Sequence, residues 1–261
     1  MARPLALITG ASGRLGRSMA LSLAGQGFDV AVHYFGSKAA ATQTADDIRA
    51  LGRKAVTVQA DLLDEAQTEA LIGTAAQALG GPLTLLVNNA SIFEHDLLQT
   101  ATKQSWDRHF GSNLRAPFLL VQNFAAQAPP PLTDAAGEKQ AQALAVNMLD
   151  QRIRKLTPEF MTYTLAKTAL WTLTQTAAQA LAPAVRVNAI APGSTLKGAR
   201  QSQEHFDAQR AASLLQRGAN VADIDAALRY FVEASAVTGQ VICVDGGQHL
   251  GWRSPDIIGQ C

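Results

Sequence analysis

The chain has 261 residues, of which 48% are hydrophobic and 16% are charged, and its formal net charge at pH 7 is +1. A chain of this size can bury a large core, so we expect one α/β domain over residues 1–261. The nearly balanced charge gives no electrostatic reason to expect a nucleic acid or an anionic membrane surface as a partner, and neither is predicted.

The first predicted element is a buried strand, Leu5–Thr9, which runs into a glycine-rich turn, Gly10–Gly16. Residues 17–24 then have helical composition. Glycines let the backbone turn tightly and approach a ligand, and the N-terminus of a helix offers unpaired N–H groups to a phosphate. Because this is the first strand-to-helix turn of the chain, it predicts a site for a dinucleotide pyrophosphate.

The two ends of the chain carry no sign of export or of metal binding. Residues 1–5 lead into the first strand without the apolar segment of a signal peptide, and no apolar run approaches the ~20 residues that span a bilayer. We therefore expect a cytoplasmic protein. The two cysteines, Cys243 and Cys261, lack the spacing of a metal site, so no metal is predicted.

The second predicted strand, Asp29–Phe35, leads to a cofactor preference. An enzyme that prefers NAD usually has an acid just after this strand, which accepts hydrogen bonds from the adenosine ribose. Here Ser37 can donate a hydrogen bond to a 2′-phosphate, while Lys38 and Arg14 bring positive charge. The pattern favours NADPH, and the alternative is that Lys38 only begins a surface helix.

Strands and helices continue to alternate along the chain. The third strand, Ala55–Ala60, precedes Asp61, and the fourth, Leu83–Val87, precedes Asn88-Asn89-Ala90-Ser91. A helix is predicted from about 102 to 128, followed by a proline-led surface loop at 129–139. Such alternation predicts a single-domain Rossmann fold, a doubly wound parallel sheet of about seven strands with helices on both faces.

The fifth strand and the helix after it bring together an acid, a phenol and an amine. Leu144–Leu149 is an apolar run that delivers Asp150 to the carboxyl edge of the sheet, where such folds bind ligands. Met161–Leu181 has helical composition, so Tyr163 and Lys167, four residues apart, share one face. The ammonium of Lys167 is expected to stabilise a Tyr163 phenolate, unless both side chains merely cover apolar surface.

The last third of the chain is predicted to complete the sheet and to cover the ligand. A sixth strand, Val185–Ile190, is followed by Ala191–Thr195 at the same edge. The polar segment around 194–216, with a helix near 204–216, is either a lid over the substrate or a surface connection without a role in binding. A helix at 221–233 and a last strand at 240–244 follow.

In this order the motifs resemble the short-chain dehydrogenase/reductase superfamily over essentially the whole chain. The resemblance implies that Asn113, Tyr163 and Lys167 are catalytic. It also implies that the protein is a homotetramer built through the helices around Asn113 and Tyr163 and the C-terminal strand. The tail from Trp252 to Cys261 would fray or dock on a neighbouring subunit. The cofactor-binding residues are predicted to be Gly10, Ser12, Arg14, Leu15, Gly16, Tyr34, Ser37, Asp61, Leu62, Asn89, Ala90, Ser91, Lys167, Pro192 and Gly193.

Asp150 departs from the superfamily, which usually has a serine near this position. With Asp150, the chain resembles the pteridine reductases within that superfamily, in Arg14–Ser18, His33-Tyr34, Gln59–Leu62, Asn89–Ser91 with Phe93, and Asn147–Asp150. The resemblance implies that Phe93 stacks on a pterin ring, the alternative being a core aromatic under a loop. Substrate-binding residues are then predicted to be Arg14, Ser91, Phe93 and Tyr163.

Together these features predict an NADPH-dependent enzyme that transfers a hydride to a C=N bond of a dihydropterin or related folate. Asp150 would relay a proton through Tyr163 or water to the ring nitrogen, and Lys167 would fix the nicotinamide ribose. Two alternatives stay open from the sequence. One is a carbonyl or 3-oxoacyl reductase of the same superfamily, and the other is a non-catalytic NADP(H)-binding sensor.

Overall fold

A computed structural model describes residues 3–198 and 201–252 of the chain. Its main feature is a parallel sheet of seven strands. They are β1 (Leu5–Ile8), β2 (Asp29–Tyr34), β3 (Ala55–Gln59), β4 (Leu85–Asn88), β7 (Ala143–Met148), β8 (Val185–Pro192) and β9 (Val241–Val244), and a separate short antiparallel pair is formed by β5 (Leu132–Thr133) and β6 (Lys139–Gln140). The order of the seven strands in the sheet, β3-β2-β1-β4-β7-β8-β9, confirms the predicted doubly wound sheet.

The central strands are apolar because both faces of the sheet are covered. All residues of β1, β2 and β7 are buried, as expected for parallel strands between two helical layers. The helices are α1 (Arg14–Gly25), α2 (Lys38–Ala50), α3 (Glu65–Leu79), α4 (Lys103–Phe110), α5 (Ala116–Gln127), α6 (Met161–Leu181), α7 (Gln203–Ala211) and α8 (Val221–Glu233).

Two apolar cores lie on opposite faces of the sheet. One contains Met19 and Ile48, from α1 and α2, and Phe231 from α8. The other contains Leu71 and Phe124, from α3 and α5. The sheet is therefore shared by both cores in a single domain.

The order of the strands reverses between β1 and β4, which are neighbours although β2 and β3 come between them in sequence. Parallel sheets of this kind bind ligands in the crevice at such a reversal, at the carboxyl ends of the strands. The ends of β1, β4, β7 and β8 all lie at that edge, since the four strands pair in parallel. The segments that carry the predicted site residues follow these ends.

The helix predicted from about 102 to 128 is broken into α4 and α5 by a π-helical turn at Gly111–Arg115. Thr102 begins α4 with a reciprocal capping box to Ser105. The extra residue that a π turn inserts changes the direction of the side chains beyond it, and such turns are frequent at functional sites. The turn carries Asn113.

Three smaller features differ from the predicted elements. The loop at 129–139 contains β5 and the first residue of β6, and the helix predicted near 204–216 is the shorter α7. The predicted tail lies outside the described residues except for Trp252. Over residues 3–198 and 201–252, no helix is long and apolar enough to cross a membrane.

Candidate active site

The glycine-rich turn between β1 and α1 is held tightly against the end of β4. Gly10 has a φ of 64°, a conformation that glycine adopts without strain. A Cβ atom on Gly16 would lie 2.3 Å from the Gly10 carbonyl oxygen and 2.6 Å from Nδ2 of Asn89. That same amide nitrogen donates a hydrogen bond to the carbonyl oxygen of Thr9. The turn therefore requires glycine at both positions.

The two helices that begin at this edge fit the phosphates of a dinucleotide. Gly13 precedes α1 in an extended conformation and Ser37 precedes α2, and among the described residues no side chain caps either helix. Among the described residues, the N–H groups of residues 14–16 at the start of α1 are thus free to bind an anion, whereas the Lys38 N–H at the start of α2 donates to the Gly36 carbonyl oxygen at 3.2 Å. Lys38 is the first residue of α2 and directly follows Ser37, so a cationic residue and a hydroxyl are neighbours in sequence here, a combination that suits a 2′-phosphate.

His33 supports the glycine-rich turn through a hydrogen bond with Gly10. Its Nδ1 accepts a hydrogen bond of 3.0 Å from the Gly10 N–H, and its Nε2 donates to the carbonyl oxygen of Ala60 at 3.1 Å. Burial lowers the pKa of His33 to about 4, and the bond to Ala60 offsets only part of that effect. His33 is therefore neutral at physiological pH, which its role as an acceptor for Gly10 requires.

This buried histidine predicts a pH dependence of stability. In the unfolded chain His33 binds a proton near pH 6.5, but in the folded protein it does so only near pH 4. Between these values the unfolded state binds more protons, so the stabilisation present above pH 6.5 is lost as pH falls through this window, by about 3 kcal/mol. Urea unfolding at neutral and acidic pH measures the loss. The His33→Asn variant should show a smaller loss, and equal losses in the two proteins would contradict this assignment.

A cleft of about 240 Å³ opens at the carboxyl edge beside this turn. It gathers ten of the predicted site residues from the ends of β1, β4, β7 and β8 and from α6. They are Arg14, Leu15, Asn89, Ser91, Phe93, Asp150, Tyr163, Lys167, Pro192 and Gly193, and the wall is completed by Met148, Leu149, Thr195 and Leu196.

Asp150 and Tyr163 form a direct pair in this cleft. The phenol hydroxyl of Tyr163 donates a hydrogen bond of 3.1 Å to Oδ2 of Asp150. The other carboxylate oxygen, Oδ1, accepts a bond of 2.9 Å from the backbone N–H of Arg152. One oxygen of Asp150 thus braces the chain after β7, and the other faces the phenol.

The environment raises the pKa of both members of the pair. Burial raises the pKa of Asp150, although the backbone N–H and the charge of Arg152 act in the opposite direction. Burial also raises the pKa of Tyr163 well above its usual value, and the neighbouring Asp150 adds to this effect. The expectation of a stabilised phenolate is therefore wrong for this arrangement. Tyr163 is a neutral donor, and Asp150 is an acid that holds its proton more readily than usual.

Lys167 is buried beside the pair without bonding to the phenol. Its Nζ donates a hydrogen bond of 2.7 Å to the carbonyl oxygen of Met148 and lies 5.7 Å from the centre of the Tyr163 ring. Burial lowers the pKa of Lys167 to about 8, while the charge of Asp150 partly offsets this. Its charge is thus directed at the carbonyl end of β7 instead of at the phenol oxygen.

Asn113 supports the loop that follows β4. Its Oδ1 accepts a hydrogen bond of 3.0 Å from the Ile92 N–H, and its Nδ2 donates to the Ile92 carbonyl oxygen at 2.9 Å. The π turn places the side chain where it can make both bonds. Asn113 therefore acts on the cleft through the backbone between Ser91 and Phe93.

Phe93 is the end of an aromatic column. Its ring stacks on Phe160 at 4.3 Å and 7°, and the guanidinium of Arg152 covers the other side of Phe160 at 4.6 Å. The ring also meets Tyr163 edge-on at 4.7 Å. Phe93 is 52% exposed, so the alternative of a core aromatic does not hold. The column presents an aromatic face beside the Asp150–Tyr163 pair.

The other predicted cofactor residues do not line the cleft. Tyr34 is buried in the core beneath α1 and α2. Oδ1 of Asp61, after β3, accepts a hydrogen bond from the Leu63 N–H, and the Asp61 N–H donates to the side-chain oxygen of Gln67. The remaining residues belong to the glycine-rich turn or follow β2, β3 or β4, and their roles stay predictions; they are Gly10, Ser12, Gly16, Ser37, Leu62 and Ala90.

Three contributors to the site were not predicted from the sequence. They are Arg152 and Phe160, which complete the aromatic column, and Met148, whose carbonyl oxygen receives Lys167. Phe160 has a φ of 57°, which a bulky residue rarely adopts. An aromatic residue three positions before Tyr163 is the one available signal in the sequence.

The chain is similar over most of its length to several known proteins. The profile of the family described as short chain dehydrogenase matches residues 4–208. The crystal structure of FolM alternative dihydrofolate reductase 1 from Brucella canis, complexed with NADP, has 41% sequence identity and a TM-score of 0.88 over 98% of both chains. Pteridine reductase 1 of Leishmania tarentolae is 32% identical over 95% of this chain and 96% of its own. The 3-oxoacyl-acyl-carrier-protein reductase FabG of Staphylococcus aureus is 32% identical over 94% and 98%.

Proposed function

Because the chain belongs to the short-chain dehydrogenase family, we propose that it is an NADPH-dependent reductase of a dihydropterin or a related folate. The observation that carries this proposal is the acid at 150, hydrogen-bonded to Tyr163 beside the exposed ring of Phe93. The reduction of a C=N bond needs a hydride on carbon and a proton on nitrogen. An acid that holds its proton, next to a neutral phenol, suits the second requirement.

The residues of the cleft divide these tasks. NADPH supplies the hydride when it is bound. When Asp150 is protonated, its carboxyl group would donate to the Tyr163 oxygen, the reverse of the bond described above, and Tyr163 would pass its own hydroxyl proton to the ring nitrogen. Lys167 would hold the nicotinamide ribose. Phe93 offers its ring face to the flat heterocycle, and Ser91 and Arg14 supply polar groups at the two sides of the cleft. The proton thus moves between two buried groups whose pKa values burial raises.

A lid around 194–216 fits the same proposal. Thr195 and Leu196 line the cleft, and the guanidinium of Arg14 donates to the carbonyl oxygens of Leu196 and Lys197 at 3.3 Å each. Arg14 therefore connects the glycine-rich turn to the segment that covers the substrate. An enzyme of this kind is expected to work in the cytoplasm.

The preference for NADPH can be tested at Ser37. The Ser37→Asp variant adds a negative charge that repels the 2′-phosphate and an acceptor that suits the ribose of NADH. We expect the affinity ratio to shift towards NADH by roughly 10-fold, the equivalent of a charge-assisted hydrogen bond. Fluorescence titration with each reduced cofactor measures the ratio. Tighter binding of NADH by the unaltered protein would contradict the preference, and an unchanged ratio in the variant would remove Ser37 from the contact.

We further propose a homotetramer, in which the outer face of α4 and α5 is one contact between copies. A groove of about 460 Å³ on this face is lined by apolar side chains that include Trp106, Phe110 and Phe118. Trp106 and Phe118 are 46% and 41% exposed, which is a large apolar surface to leave in water.

Substitution on this face tests the assembly. Phe118→Glu should lower the mass seen by light scattering, since a charge in the contact has no partner. Leu51→Glu, which alters an apolar residue after α2 that is 53% exposed, is the matched control. A monomeric unaltered protein, or a Phe118→Glu variant with unchanged mass, would contradict the proposed contact.

A substrate panel tests the function itself. The oxidation of NADPH is followed with dihydrobiopterin, dihydromonapterin, dihydrofolate and a 3-oxoacyl thioester, each in turn. We expect kcat/KM to be highest with one of the first three. A higher value for the 3-oxoacyl thioester would favour the activity that the relative from Staphylococcus aureus is named for. Tight NADPH binding without turnover of any substrate would favour a non-catalytic sensor.

A further inference from the structure

Three buried polar side chains next to the cleft have no part in the proton transfer described above. Asp96, His109 and Thr162 are 4%, 0% and 1% exposed and form one hydrogen-bonded chain, here called the buried triad. Thr162 is the second residue of α6 and directly precedes Tyr163. The triad therefore lies at the beginning of the helix that carries the proton-transfer pair.

Asp96 fixes the first turn of α6. Its Oδ1 accepts a hydrogen bond of 3.1 Å from the Thr162 N–H, its Oδ2 accepts from the Thr162 hydroxyl, and its carbonyl oxygen accepts from the Met161 N–H at 3.3 Å. Burial raises the pKa of Asp96, but the bonds from Thr162 outweigh this and hold the pKa below its usual value. An ionised Asp96 thus satisfies N–H groups that begin the helix.

His109 connects this cap to the loop that carries Phe93. Its Nε2 accepts a hydrogen bond of 3.1 Å from the Glu94 N–H, and its Nδ1 lies 2.7 Å from the Thr162 hydroxyl oxygen. Because an amide N–H can only donate, Nε2 carries no proton, and the proton of the neutral ring lies on Nδ1. The direction of every bond follows: His109 donates to Thr162, and Thr162 donates to Asp96.

The residues on both sides of Phe93 are anchored in this way. Ile92 is held by the two bonds from Asn113, and Glu94 is held by His109 through its N–H and by Arg108 through its carboxylate at 2.9 and 3.2 Å. The anchors all come from α4 and the π turn. The backbone of Phe93 is therefore fixed from one side, while its ring is stacked on Phe160 from the other.

We propose that His109 is a positioning residue that holds the Phe93 ring in place beside Tyr163, so that the cleft selects flat heterocyclic substrates. The inference rests on the proposed function, because it assumes that Phe93 contacts the substrate. His109 can act on both rings, since it binds the residue after Phe93 and the residue before Tyr163. Its own ring also meets the Tyr163 ring edge-on at 5.9 Å.

Two substitutions of His109 each remove one of its two hydrogen bonds, to Thr162 or to Glu94. The amide nitrogen of His109→Asn takes the place of Nδ1, so it keeps the bond to Thr162 and removes the acceptor for Glu94. The amide oxygen of His109→Gln takes the place of Nε2, so it keeps the acceptor and removes the bond to Thr162. Each variant loses one of the two hydrogen bonds and keeps the other, so each is the control for the other.

Steady-state kinetics then distinguish positioning from general support. We expect His109→Asn to raise the KM for the preferred dihydropterin about 10-fold, while the KM for NADPH stays unchanged. His109→Gln should keep the original KM for the dihydropterin. Equal values of this KM in the two variants, or a parallel rise in the KM for NADPH, would overturn the proposal.

Amide hydrogen exchange gives a readout that needs no substrate. In the unaltered protein and in His109→Gln, exchange at the Glu94 N–H should be slow, and in His109→Asn it should be at least 10-fold faster. Fast exchange in the folded unaltered protein would overturn the proposal whether or not the variants fold. If the exchange pattern holds but no dihydropterin is reduced, the proposed function fails while the positioning of Phe93 by His109 stands.

Discussion

Replacing Tyr163 with phenylalanine should lower the turnover of a dihydropterin by about 10²- to 10⁴-fold, the range that a positioned acid or base contributes. The phenol is buried and hydrogen-bonded to Asp150, so its removal breaks the contact through which that acid is proposed to supply the proton. Stopped-flow or steady-state consumption of NADPH measures the loss, and fluorescence titration measures cofactor affinity on the same preparation.

Tyr230→Phe is the matched control for this experiment. Tyr230 lies on α8 and is 49% exposed, so the same loss of a hydroxyl occurs there far from the cleft. We expect normal turnover in this control and unchanged NADPH affinity in both variants. A Tyr163→Phe enzyme that retained more than about a tenth of normal turnover would show that the phenol does not carry the proton.

Replacing Asp150 with serine should have a similarly large effect, a loss of about 10²-fold or more in dihydropterin turnover. A serine can still accept the hydrogen bond from the Arg152 N–H, since serine is a good helix cap, but it cannot supply the proton. The fold and the affinity for NADPH should therefore be kept. Melting temperature, NADPH affinity and turnover measured on one preparation decide the outcome.

The competing explanation is that Asp150 only braces the chain after β7. Asp134→Ser is a control for that effect, because Asp134 also accepts backbone N–H bonds, from Ala136 and Glu138, in an exposed loop. If Asp150→Ser lowers the melting temperature as this control does and keeps normal turnover per folded molecule, bracing is its whole role. The assignment of a dihydropterin as substrate would then lose its main local support.

Much of the fold follows from patterns that the sequence displays openly. The alternation of apolar strands and amphipathic helices predicts a parallel sheet, and the carboxyl ends of its strands must meet at one edge. That geometry alone brings Arg14, Ser91, Asp150 and Gly193 into one cleft, although they are far apart in sequence. The spacing of Tyr163 and Lys167 on one helix completes the arrangement.

The details that the sequence does not predict depend on small differences in free energy between alternative conformations or contacts. The stretch around Asn113 has ordinary helical composition, so a π turn cannot be told from an α-helix by periodicity. Likewise, spacing places Lys167 near Tyr163 but does not show that its ammonium bonds to the Met148 carbonyl oxygen instead. The raised pKa of Tyr163 is a result of burial, which only the packed structure shows.

The aromatic column and the buried triad illustrate a second limit. Arg152, Phe160 and Phe93 come from two loops, and loop conformations depend on tertiary contacts more than on local propensity. In the same way, Asp96 and His109 meet Thr162 only because the loop after β4 and helix α4 both pack on the start of α6. Neither group has a spacing that a sequence pattern could identify.

We propose that this cleft adds a hydride and a proton to the C=N bond of a dihydropterin. The most direct test supplies the protein with NADPH that carries deuterium at the transferable position, together with a dihydropterin and a 3-oxoacyl thioester in the same solution. Mass spectrometry of the products then shows where the deuterium goes. We predict a tetrahydropterin with one deuterium on a ring carbon, formed by the unaltered protein and nearly absent with Tyr163→Phe. Deuterium found in a 3-hydroxyacyl product, with the dihydropterin unchanged, would contradict the claim.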